Sequence, residues 1–130
     1  LFVQLNGFDE RFFLYLEDMD LSFRANKVGL ESIYLSDTQA FHAGGGTSRN
    51  VKSIRLFYSL RSRLIYGFKF FPPWKAWVLL TAIVLIEPFT RVVWCIFRLD
   101  LTGILQTILA YRMLMLNLVD IIRCDGRSMP

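Results

Sequence analysis

Apolar and polar positions change their spacing several times along the chain, and each change predicts an element. Residues 12–16, a short aromatic and aliphatic run, suit a buried strand, and the acids Glu17, Asp18 and Asp20 after it mark a helix start. Leu21, Ala25 and Val28 then fall at helical spacing, and Gly29 is placed to close the helix. Residues 31–35 alternate and predict a strand, and residues 38–42 predict a second extended piece. Gly44, Gly45 and Gly46 make a loop, because three glycines weaken either regular structure.

From Val51 the spacing is helical again. Lys52, Arg55, Ser59, Ser62 and Lys69 share one face and Ile54, Phe57, Tyr58, Ile65 and Phe68 the other, a basic amphipathic helix stopped by Pro72 and Pro73. Residues 76–86 are apolar or nearly so, about half the 20 or so that a spanning helix needs. Extension to Phe97 takes in Glu87, Pro88 and Arg91, and charges are costly at a bilayer centre. The last helix, about residues 101–122, places Gly103, Gln106, Ala110, Asn117 and Asp120 along one stripe and Ile104, Ile108, Leu109, Leu116 and Val119 elsewhere. That pattern predicts a helix lying on a membrane rather than crossing it.

Composition sharpens this picture. With 130 residues, 54% hydrophobic and 15% aromatic, the chain is too apolar for an ordinary small soluble domain and excludes a disordered or low-complexity one. It starts at Leu1 without an initiator Met, which suggests a piece of a longer protein, and no signal peptide opens it. Cys95 and Cys124 lack the spacing of a zinc site or a disulfide framework, which points to a reducing compartment.

Charge is segregated. Residues 1–37 carry seven acids against three bases, whereas residues 38–86 carry seven bases and no acid. Such a block attracts phosphate, in a nucleotide, a nucleic acid or a lipid headgroup. Nucleic acid fits poorly, because the basic helix has a strongly apolar face and no nucleic-acid-binding signature is present.

Two constellations could carry chemistry. Glu17, Asp18 and Asp20 crowd three carboxylates into four residues, either as helix caps with Arg24 as the i,i+4 partner of Asp20, or as a general base at a sheet edge. Asp18 and Asp20 match a bare D-x-D, but in one helical turn their side chains diverge by about 200° and would not easily chelate one ion. His42, followed by the glycines and by Thr47, Ser48 and Arg49, offers backbone N–H groups, hydroxyls and a cation suited to a diphosphate.

In order, the residues Gly7-Phe8-Asp9-Glu10-Arg11-Phe12-Phe13-Leu14-Tyr15, then Glu17-Asp18-Met19-Asp20-Leu21, Arg24-Ala25, Gly29, and His42 with Gly-Gly-Gly-Thr-Ser resemble a known pattern. It belongs to bacterial inverting glycosyltransferases of family 2, with the GT-A fold, including rhamnosyltransferase-like enzymes of cell-surface polysaccharide synthesis. The resemblance covers residues 1–69, and the tail with Asp120-Ile121-Ile122-Arg123 resembles the tails of the same enzymes. It implies an α/β fold: residues 1–50 as the carboxyl-terminal part of a GT-A catalytic domain, 51–75 as a basic helix and connector, and 76–130 as a membrane-associated helical tail.

The resemblance also implies roles. Asp18 would be the base that deprotonates an acceptor hydroxyl attacking a nucleotide sugar, with Glu17 and Asp20 shaping the acceptor pocket or capping the helix. His42 would lie near a divalent metal, Mg or Mn, and near the donor diphosphate, with Thr47, Ser48 and Arg49 beside it. The metal would be held mostly by an amino-terminal nucleotide-binding half, which this chain lacks. The implied partners are a nucleotide-sugar donor, a lipid-linked or saccharide acceptor and the cytoplasmic surface of the bacterial inner membrane. The competing reading is a non-catalytic, membrane-attached binding module whose carboxylates only cap a helix.

Overall fold

A computed structural model describes residues 2–33, 35–39, 41 and 51–123. Among these described residues five α-helices follow one another: α1 (Glu17–Lys27), α2 (Lys52–Phe70), α3 (Pro73–Thr81), α4 (Glu87–Phe97) and α5 (Leu101–Arg123). A π-helical segment, Ala82–Ile86, joins α3 to α4 without a break, so that Pro73–Phe97 forms one rod of 25 residues.

The α/β expectation is overturned. Among the described residues there is no strand, and about 70% of them are helical, so the GT-A assignment of residues 1–50 is not met. In residues 12–16 the reason is visible in the backbone: Tyr15 and Leu16 both have φ of 68°, in the left-handed region, which turns the chain instead of extending it. Of the carbonyls that a sheet would pair, Leu14 O goes to α2, where Ser62 Oγ donates to it at 2.7 Å, and just before the run Arg61 donates to Arg11 O. Residues 31–33 and 35 are exposed and irregular. Alternation there has no neighbouring strand to pair with. Of the extended piece at 38–42, residues 38, 39 and 41 are irregular, and Ala40 and His42 lie outside the described residues.

The helices form where their spacing predicts. Glu17, Asp18 and Asp20 in the first turn of α1 and Arg24 and Lys27 in its last turn suit the helix dipole. Gly29, at φ 84°, ends it as the Leu30 N–H bonds back to Ala25 O at 3.1 Å. The π segment lies just before Pro88, which has no N–H to offer Val84 and would crowd its carbonyl in a regular α-helix.

Packing gives α2 a place that amphipathicity alone did not assign. Its apolar face meets α3 and α5 in a core built on Leu60, Leu64, Ile83, Ala110 and Leu114. The later part of its polar face is covered as well, by residues 9–20, so that Ser62 is fully buried, while Lys52 at its start stays exposed. The helix is a central strut rather than a surface float. On α5, Ala110 of the small and polar stripe faces inward, and Gln106 caps α2 by accepting from the Ser53 N–H at 2.9 Å, while Asn117 and Asp120 stay exposed. Ile108, Leu109, Leu116 and Val119 face outward.

Both Pro73–Phe97 and Leu101–Arg123 are long and apolar enough to cross a membrane by length and composition. Only 11% and 22% of their most apolar stretches are buried in the molecule, unlike the core helix of a soluble protein.

Candidate functional site

One helical turn sends the three clustered carboxylates into three environments. Asp18 is exposed, and its Oδ1 accepts the Met19 N–H at 2.8 Å. Glu17 is half-buried, and its Oε2 has no hydrogen-bond partner among the described residues. Asp20 is completely buried, where Arg24 Nε donates to Oδ2 at 2.8 Å and Lys69 Nζ to Oδ1.

Asp20 belongs to a larger ionic cluster. Lys69 also donates to Asp9 Oδ2 at 2.6 Å, and Asp9 accepts from Arg11 Nη2 at 2.7 Å and from the Arg11 backbone N–H at 3.0 Å. Arg24 extends the cluster to the carbonyls of Leu5 and Gly7. Burial works against the charge on Asp9, but the hydrogen bonds from Arg11 and Lys69 outweigh it and hold its pKa well below the usual carboxylate range. The cluster ties residues 5–24 to the end of α2 and fixes the orientation of α1, and with it the outward aim of Asp18.

Asp18 and Asp20 therefore do not converge, and together they do not fit a divalent cation. No group of three or more His, Cys, Asp or Glu side chains among the described residues is arranged to hold a metal. His42, Thr47, Ser48 and Arg49 lie outside the described residues.

The spacing of Asp20 and Arg24 was readable in the sequence. Asp9, Arg11 and Lys69 gave no signal as a group, because Asp9 and Lys69 are 60 residues apart. Tyr15 was also missed. Its hydroxyl accepts from Arg55 Nε at 3.1 Å, and with Lys52, Arg55, Leu56 and Ser59 it lines an open hollow of about 210 Å³ at the start of α2.

Over part of its length, this chain is similar to bacterial rhamnosyltransferases. It is 46% identical over 41 residues, 32% of the chain, to an N-acetylglucosaminyl-diphospho-decaprenol L-rhamnosyltransferase found in two strains of Mycobacterium tuberculosis. It is 34% identical over 65 residues, 50% of the chain, to the rhamnosyltransferase WbbL of Escherichia coli K12. The chain spans only 13% and 25% of the length of these curated relatives. No family model matches the chain, and no solved structure does.

Proposed function

We propose that this chain is part of a glycosyltransferase of cell-surface polysaccharide synthesis, which moves a sugar with inversion from a nucleotide-sugar donor to a lipid-linked saccharide acceptor. The similarity to rhamnosyltransferases supports the reaction class. The observation that carries the assignment within the chain is the division of the carboxylates: Asp20 is consumed by Lys69 and Arg24, whereas Asp18 stands exposed beside it on the same rigid turn, with no cation paired to it among the described residues. An exposed carboxylate on a fixed helix end can accept the proton of an acceptor hydroxyl as the new C–O bond forms and the bond to the nucleoside diphosphate breaks. Inversion follows from that single displacement. Glu17 borders the acceptor, and Asp20 positions the turn.

In this reading His42, Thr47, Ser48 and Arg49 meet the donor diphosphate, and a divalent ion near His42 would supply charge neutralisation there. The outward apolar faces of the Pro73–Phe97 rod and of α5 rest on the cytoplasmic side of the bacterial inner membrane. The middle of the rod supports an in-plane placement, since Glu87 pairs with Arg63 of α2 at 2.7 Å and with Arg91 at 2.8 Å, charges that are costly at a bilayer centre.

The test is Asp18→Asn in the full-length protein, assayed for rhamnosyl and other sugar transfer to a polyprenyl-diphosphate saccharide. Transfer falls by at least about a hundredfold while nucleotide-sugar binding survives. Unchanged turnover removes Asp18 as the base, and inactivity of the parent protein with every donor favours the non-catalytic membrane module.

A further inference from the structure

The bases on and around α2 are not equivalent. Lys69 is neutralised by Asp9 and Asp20, and Arg63 by Glu87, while Arg61 binds a backbone carbonyl and Lys75 lies over the Trp74 ring. Among the described residues, Arg55 has the neutral phenol of Tyr15 as its hydrogen-bond partner, and Lys52 makes no ion pair. Arg61 and Lys75 also keep their charge, since a carbonyl and a ring are neutral, but Lys52 and Arg55 are the two bases that share one hollow, at the first turns of the helix, with Ser59 and Tyr15.

The Gln106–Ser53 bond sets the beginning of α5 beside the beginning of α2, and so places the α4–α5 turn at this end of the bundle. That turn is an apolar tip: Phe97, Leu99 and Leu101 are 81%, 87% and 74% exposed, and Arg98 stacks on the exposed Trp94 ring at 4.9 Å. Asp100 caps α5, accepting from the Gly103 N–H at 2.8 Å and from Thr102 Oγ1 at 2.7 Å, and its charge offsets part of that of Lys52, which leaves Arg55 as the main cation of the hollow. Cations and hydroxyls beside an apolar tip match the layering of a lipid, with acyl chain below and phosphate above.

We propose that the hollow formed by Tyr15, Lys52, Arg55 and Ser59 binds the anionic phosphate or diphosphate of a membrane lipid, while the 97–101 tip enters the acyl layer beside it. Lys52 and Arg55 supply the charge, Arg55 in a planar fork suited to two phosphate oxygens, and the hydroxyls of Ser59 and Tyr15 complete the donor set. The proposal rests on the membrane placement given above but not on catalysis.

The experiment uses the full-length protein and vesicles of phosphatidylcholine, alone or containing phosphatidic acid or a polyprenyl diphosphate. The unaltered protein prefers the phosphate-bearing vesicles, and the double variant Lys52→Gln/Arg55→Gln loses about thirtyfold of that preference. The charge-matched pair Lys27→Gln/Lys75→Gln, at the opposite end of α2, loses less than about threefold. Ser59→Asp, which puts a negative charge into the hollow without removing either base, abolishes the preference too, and circular dichroism establishes that each variant is folded. Equal losses in the two double variants, or no preference in the unaltered protein, overturn the site. Direct titration with inorganic pyrophosphate without vesicles separates the sources: binding much weaker than to the phosphate-bearing vesicles supports a lipid phosphate, and equal affinity overturns the lipid source in favour of a soluble diphosphate in the same hollow. Failure to bind neutral vesicles overturns the membrane placement, whereas loss of sugar transfer alone leaves both results standing.

Discussion

Lys69 meets Asp20 across 49 residues of sequence, at a point where the carboxylate is completely out of water and the lysine nearly so. This pair, shared with Asp9 and Arg24, is what fastens the acidic first part of the chain to the helical bundle. Substituting one member leaves the others buried with less compensation. Lys69→Met should lower stability by about 3 kcal/mol, toward the lower end for such a cluster because Arg11 and Arg24 remain. Urea denaturation of the full-length protein checks this, and a loss below about 1 kcal/mol would show that the cluster is not a structural tie.

Acid should loosen the same joint. The pKa of Asp9 is depressed in the folded protein, so its contribution to stability is present above the unfolded value of about 4 and is lost as pH falls below that toward the folded value. Thermal melts at successive pH values below about 4 should therefore show a decline that Asp9→Asn largely removes. A decline of the same steepness in that variant would point to other carboxylates.

The neighbouring acids of α1 should separate function from stability. Asp18→Asn alters an exposed side chain and should shift stability by no more than about 0.5 kcal/mol while abolishing transfer. Asp20→Asn strips charge from a buried cluster and should cost about 2–4 kcal/mol, with activity reduced in proportion to unfolding. Equal stability losses in the two variants would contradict the environments described here.

The α4–α5 turn has no room for a methyl group at Gly103. A Cβ there would lie 2.5 Å from Asp100 Oδ2 and 2.8 Å from Cys95 Sγ. Gly103→Ala should displace the Asp100 cap and cost about 1–2 kcal/mol, even though alanine is the better helix former. Asp100→Asn, which keeps an accepting oxygen for the Gly103 N–H, should be close to neutral. A thermal melt of each variant distinguishes them, and a stabilised Gly103→Ala would show that the turn relaxes freely.

What could be read beforehand follows from the range of each interaction. The start of α1 at its acids, its end at Gly29 and the end of α2 before Pro72 depend on groups within a few residues, and all were legible. The strand expected at 12–16 failed because its apolar run was judged without knowing what its carbonyls would bind. Leu14 O binds Ser62, 48 residues away, and Arg11 O, just before the run, binds Arg61. Asp18 and Asp20 could be seen to diverge, but not which of them would be buried.

By itself the amino-acid sequence determined where α1, α2 and α5 begin and end, though not that 73–97 is one rod, as well as which faces are apolar and how charge divides along the chain, because these depend on local backbone geometry and on helical periodicity. Only the tertiary structure decided that the later part of the polar face of α2 is covered, that Lys69 is spent on Asp9 and Asp20 while Lys52 and Arg55 line an open hollow, and that Asp18 faces outward. The reason is physical: whether a charge is neutralised depends on what lies within about 4 Å of it, and in a folded chain those neighbours come from tens of residues away.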